Sequence, residues 1–131
     1  MRKTVFALLS FLVVALIACS SDKHHDEKAM KAAQQYYEYL LNEKYEQFVD
    51  ATVAHRGVPA QYKKQLVANT KMFVQQQTDN HRGILKIRAT GADIDESTRT
   101  ANVYLVLCFG DSTNEEVVVP MVEQDGVWWM Q

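Results

Sequence analysis

This chain has little of what usually betrays a chemistry. Among its 131 residues are two cysteines, two prolines and five glycines. So few cysteines exclude a disulfide-stapled scaffold, and no spaced Cys/His set is present to hold a structural metal. The glycines form no phosphate-cradling loop, and no Ser-His-Asp pattern occurs. Cationic excess is missing too: 14 Lys and Arg face 16 Asp and Glu, a formal net charge of -2. Without a basic stripe there is nothing to release counterions from phosphates, so nucleic acid is excluded as a partner. Repeats and low-complexity tracts are also absent. What remains is 47% hydrophobic and 23% charged residues, the make-up of one ordinary folded domain.

The longest apolar run sits at the start. Residues 1 to 19 read MRKTVFALLSFLVVALIAC, with Arg2 and Lys3 ahead of the run. At roughly 14 residues it is shorter than the ~20 needed to span a bilayer, so it reads as an export signal. It ends in Leu16-Ile17-Ala18-Cys19, which resembles the lipobox of bacterial lipoproteins. That resemblance implies a leader over 1–18, acylation of Cys19 and a lipid-anchored mature chain. Ser20, Asp22, Asp26 and Glu27 are similar to the export signals of outer-membrane or surface lipoproteins of Gram-negative gut bacteria. Losing Arg2 and Lys3 moves the net charge from -2 to about -4. Residues 19–27 then read as a lipidated, solvated tether. His24-His25 beside Asp26-Glu27 offers metal-binding residue types, but adjacent residues cannot converge on one ion unaided. No metal or cofactor is expected. With Cys19 acylated, Cys108 has no disulfide partner, and its place in NVYLVLCF suits a small buried hydrophobe.

From Glu27 the period becomes helical, with Ala29, Ala33, Tyr36, Tyr37, Leu40 and Leu41 on one side until about Asn42. A short second helix carries Tyr45, Phe48, Val49, Thr52 and Val53 and breaks at His55-Arg56-Gly57. A third starts at Pro59 and directs Tyr62, Leu66, Thr70 and Phe73 inward until Asn80–Gly83. After Gly83 the period is two. ILKIRATGADI, RTANVYLVLCFG, EEVVVPMVEQ and VWWMQ read as four strands joined by hairpin-length turns, an antiparallel meander. Pro120 inside the third run marks an edge position or a bulge.

Three helices before a curved sheet, opened by AAQQYYEYLLNEKYEQFVD and closed by VVVPMVEQDGVWWM, resemble the nuclear transport factor 2-like, or cystatin-like, superfamily. In particular they resemble small bacterial envelope lipoproteins with such a domain. The resemblance covers residues 28–131 and implies an α+β cone, with helices packed on a curved four-stranded sheet. Relatives use this cone as isomerases, hydratases, ligand carriers and dimerisation modules, so the fold leaves function open.

A cone enzyme needs an ionisable group on the inner strand face. Here that face reads Leu85, Ile87 and Ala89, then Ala101, Val103, Leu105, Leu107 and Phe109, then Val117, Val119 and Met121. It is expected to bury against Tyr37, Leu41, Leu66 and Phe73. Tyr36, Tyr37, Asp50, His55 and Thr70 could approach a cavity mouth, but each has a plainer structural role, and no catalytic residue is assigned. If the cone is open, its lining is Tyr36, Tyr37, Phe48, Leu66, Phe73, Leu105 and Leu107. The opposite phase, Ile84, Lys86, Arg88 and Thr90, then Tyr104, Val106 and Cys108, then Val118 and Val122, is half apolar. One of Trp128 and Trp129 must join it. Lys86, Arg88, Tyr104, Val106, Cys108 and Val118 form a candidate interaction face, because no segment is left to cover them. The expectation is a non-catalytic, membrane-anchored domain that binds a small apolar ligand, a second copy or another envelope protein. The alternatives are a small cone enzyme and a purely structural or dimerisation module.

Overall fold

The computed structural model describes residues 20–131, with side chains from Asp26 onward. The expected leader, Cys19 and the side chains of His24 and His25 lie outside that description. Helix α1 spans Ser20–Leu41, α2 spans Tyr45–Val53, a 3-10 turn covers Ala54–Arg56, and α3 spans Ala60–His81. Strands β1 (Ile84–Asp95), β2 (Thr100–Phe109), β3 (Asn114–Gln124) and β4 (Val127–Met130) form one antiparallel sheet in the order β1-β2-β3-β4. The α+β class and the meander agree with the switch of period at Gly83. Among the described residues no helix is long and apolar enough to cross a membrane.

Helix α1 lies across the sheet. Ala29 and Ala33 are fully buried, and their methyl groups let its first turns come close to β1. Tyr36, Tyr37 and Leu41 fill the space farther along. The helix starts seven residues before Glu27, so most of the stretch read as a tether is helical. Apolar periodicity begins only at Ala29, which hides the earlier turns, yet acidic residues near a helix N-terminus are favourable there.

Inside the sheet, Ala101, Val103, Leu105, Leu107 and Phe109 of β2 are all buried. They meet Val119 and Met121 of β3 and Trp128 and Met130 of β4. Each fully buried side chain of leucine size contributes about 1.5–3 kcal/mol. The expected inward set on β1 needs correction. A register shift between Ile84 and Lys86 inserts one residue, so Ile84 packs on the core while Leu85 is 68% exposed. A second shift between Ala89 and Gly91 moves the inward phase to Ala92 and Ile94. Bulges of this kind are invisible to a strict period of two.

The third helix also departs from expectation. It packs chiefly on α2 and touches the sheet mainly at the start of β1. Tyr62 is 49% and Phe73 38% exposed, and only Thr70 is buried. Thr70 donates its hydroxyl to the Leu66 carbonyl at 2.8 Å, which satisfies it within the helix. Pro120 sits on β3 where β4 ends. Its carbonyl accepts the Gln131 N–H at 2.9 Å, so its nitrogen faces the same open side and breaks no ladder bond. Asp125 and Gly126, with φ of 52° and 78°, close the β3–β4 hairpin in the geometry that an Asp-Gly pair favours.

Candidate functional site

Two places gather residues singled out above, and a third gathers residues that were not. The first is the outer sheet face. Register sets it out in rows across β1, β2 and β3: Lys86, Cys108, Asn114; Arg88, Val106, Glu116; Gly91, Tyr104, Val118; Asp93, Asn102, Pro120. Tyr104, Val106 and Cys108 are half-buried, and Val118 is 53% exposed. The Tyr104 ring lies over Gly91, near enough to meet a Cβ there at 3.8 Å, and thereby covers a backbone without a side chain. Its hydroxyl donates to Asp93 at 2.6 Å. That bond, followed by the carboxylate charge, raises the Tyr104 pKa, so the phenol is a neutral donor. Trp129 is the tryptophan that leaves the core, and it stacks on His55 at 5.1 Å between ring centres. Trp128 points inward, and its carbonyl accepts the Tyr36 hydroxyl at 2.6 Å.

The second place is a groove of about 320 Å³ between the three helices, lined by Tyr37, Phe48, Leu66 and Phe73 with Thr52, Asn69 and Thr70. Tyr37 meets Phe48 edge to face at 5.3 Å, and burial raises its pKa. This is the low end of ligand-pocket size. The expected lining is therefore divided. Tyr37, Phe48, Leu66 and Phe73 come together, whereas Tyr36 is turned toward β4, and Leu105 and Leu107 are sealed in the core. The cleft opens between helices and not between helix and sheet, because α3 stands off the sheet.

The third place was not legible in the sequence: His81, Asp111 and Thr113, where α3 ends against the β2–β3 turn. His81 stacks on Phe109 at 4.5 Å, and its Nδ1 meets Asp111 Oδ2 at 2.9 Å. Thr113 donates its hydroxyl to Asp111 Oδ1 and stands 3.5 Å from the same His81 Nδ1. A hydroxyl–imidazole–carboxylate relay requires the two partners on opposite ring nitrogens. Here both sit at one nitrogen, which is the geometry of a clamp. The Thr113 hydroxyl, then His81, lowers the Asp111 pKa to about 2.

The other expected candidates are engaged separately. Asp50 pairs with Lys63 at 2.8 Å. His55 has a buried Nδ1 without a hydrogen bond, and desolvation, then Arg56, lowers its pKa. Among the described residues no group of three or more His, Cys, Asp or Glu is placed to hold a metal.

A solved structure shares this architecture. The chain is similar to an NTF2-like transpeptidase from Campylobacter jejuni solved at 2.00 Å, with a TM-score of 0.55 over 76% of this chain and 94% of that chain. The fold is NTF2-like. Sequence identity is 13%, so the likeness carries the fold and leaves that protein's activity with that protein. No family model matches the chain. No curated protein matches it either. The helices cover one face of the sheet, and the other face is open over β1 to β3, with His55 reaching Trp129 on β4.

Proposed function

We propose that this chain is a non-catalytic envelope lipoprotein whose NTF2-like domain, held at a membrane by lipid on Cys19, docks a protein through its outer sheet face. The observation that carries the reading is the uncovered centre of that face, with Val118 half-exposed beside Tyr104, Val106 and Cys108. Apolar strand residues left in water at the middle of a sheet mark a surface that is covered in use. The leader ending in Leu-Ile-Ala-Cys supports the anchor, and the resemblance of Ser20, Asp22, Asp26 and Glu27 to outer-membrane export signals supports an outer-membrane location.

The test compares neighbours on opposite faces of β2. Val106→Glu is expected to abolish association and leave the circular dichroism spectrum and thermal transition in place. Leu105→Glu puts an unpaired charge into a fully buried site, which costs several kcal/mol out of a total of about 5–15. It is expected to unfold the domain. Equal loss of structure in both variants would show that the outer face is core, and the docking reading would fall. For the anchor, Cys19→Ser is expected to release the chain from membranes or leave it unprocessed. Normal processing with unchanged sedimentation would refute lipidation.

A second reading has its own observation. The interhelical groove, with aromatic walls and Thr52 and Asn69 beside them, suits a small apolar ligand bearing one polar end. Mass spectrometry of molecules retained by the purified protein checks it.

A further inference from the structure

We infer that the open half of the β3 edge takes an extended peptide segment of a partner protein as a fifth strand, with two apolar and then two basic residues set against Val118, Val117, Glu116 and Glu115. This site is independent of the outer-face reading. It uses backbone groups at the rim of the sheet, not side chains at its centre.

The edge is open because β4 is short. Strand β3 runs from Asn114 to Gln124, whereas β4 pairs only with Met121 to Gln124. Two bonds fix the direction of the remaining backbone groups. Glu123 N–H donates to the Arg99 carbonyl at 2.9 Å, just before β2, so the odd-numbered residues of β3 face β2. The Pro120 carbonyl accepts Gln131 N–H on the other side, so the even-numbered residues face away. Register with β2 is unbroken from Val122 to Asn114, so no bulge interrupts this alternation. Glu116 and Val118 therefore each turn one N–H and one C=O outward, and among the described residues none of these groups has a partner. Asn114, Glu115, Glu116 and Val118 are exposed, so the groups can be reached.

The opposite edge is closed by two devices. The Gln34 side chain accepts the Ala89 N–H at 3.0 Å, and two register shifts bend β1. A proline can guard an edge as well, but Pro120 stands beside Gln131, past the open stretch, and removes none of its donors.

Side chains beside the open groups define the occupant. An added strand lies about 4.8 Å away, so each of its residues meets the β3 residue opposite. Glu115 and Glu116 form no salt bridge among the described residues, and they suit basic partners. Val117, packed against the core, and Val118 suit β-branched ones. Antiparallel pairing, as everywhere else in this sheet, places the apolar pair ahead of the basic pair along the partner. Strand addition of this kind draws affinity from main-chain bonds and specificity from alternate side chains.

The experiment titrates the full chain in detergent with a fluorescein-labelled Thr-Ile-Val-Arg-Lys-Thr peptide and reads anisotropy. Saturable binding is expected, and a peptide with Glu-Glu in place of Arg-Lys should bind about tenfold more weakly or worse. Val118→Pro removes one outward N–H at the phase where Pro120 already stands, so the ladder to β2 stays whole. It is expected to weaken binding about tenfold with an unchanged circular dichroism spectrum, whereas Val118→Ala keeps the N–H and should stay within about threefold. Amide exchange gives a second readout that needs no variant: bound peptide should slow Glu116 and Val118 selectively. Val106→Glu, on β2, should leave peptide binding intact. Loss of binding in Val106→Glu with retention in Val118→Pro would move the peptide to the outer face and overturn the edge assignment. Absence of saturable binding, equal affinity for the acidic peptide, or unchanged exchange at Glu116 and Val118 would overturn it too, and each leaves the outer-face reading to its own test.

Discussion

At the end of α3 the chain passes through two consecutive left-handed residues, Arg82 with φ of 60° and Gly83 with φ of 87°. The clamp of His81, Asp111 and Thr113 holds that reversal against the β2–β3 turn, and the backbone adds Gly110 N–H to Gly83 O at 2.9 Å and Asp111 N–H to His81 O at 3.0 Å. Asp111 is the residue whose ionisation the clamp uses. Its folded pKa of about 2 lies below the ordinary 3.8, so its contribution to stability is fully present above the ordinary value and is lost as pH falls through about 2. Asp111→Asn should therefore lower the melting temperature at about pH 5, and the gap should close between about 4 and 2. Thr113→Val should show the same window, because its hydroxyl is the main cause of the shift. A gap independent of pH down to 2 would show that Asp111 acts only through its turn geometry. Asp111-Ser112-Thr113 reads as a turn in the sequence, but its tie to His81, 30 positions earlier, carries no local signal. Cys108 is a contrasting residue: its alternation was legible, whereas its half-exposure came only from the open face.

Elements were legible where one period governed them and misread where packing broke it. Strand β2 keeps strict alternation over ten residues and was assigned to the correct faces throughout. Strand β1 contains two register shifts, and its Ile84 and Leu85 exchange faces relative to a simple alternation. Helix α3 has an apolar stripe that looked like a core stripe, yet much of it forms one wall of a groove. This has a dynamic consequence. With Thr70 as its single buried residue, α3 has little to lose on opening, whereas β2 is paired on both sides. Amides in the middle of α3 should exchange with deuterium well before those of β2 and α1, and a ligand in the groove should slow α3 selectively. Uniform protection across all three would mean that α3 is held more firmly than its exposure indicates. A steric test belongs at the same junction. A Cβ at Gly110 would lie 2.5 Å from the Arg82 carbonyl oxygen, a backbone atom that cannot swing away. Gly110→Ala should therefore cost about 1–3 kcal/mol, read as a lower melting temperature.

On the scale of the molecule, a sheet with helices on one face has a definite top and bottom, and the chain uses them differently. The helix-covered side supplies the buried clusters, from Ala29 on α1 to Met130 on β4, so the structural body begins within α1 and extends nearly to the last residue. Residues 20–27 are helical but add no side chain to that core among those described. Removing residues 1–27 should therefore leave the folded body intact. It takes away about two turns of mostly polar helix and keeps Ala29, Ala33, Leu40 and every strand. The expected cost is the fraying of a new helix end, at most about 1 kcal/mol, which for a domain of this size moves the melting temperature by about 4–8 °C or less. Cooperativity should survive, because the described α1 side chains that pack into the core, Ala29, Ala33, Tyr36, Tyr37 and Leu41, all lie downstream of the cut. Calorimetry of the shortened chain decides the matter. One transition close to that of the longer chain confirms that the core is complete from residue 28. A broad transition or none would show that the first turns of α1 brace the sheet, and would make the segment after Cys19 a structural part of the domain.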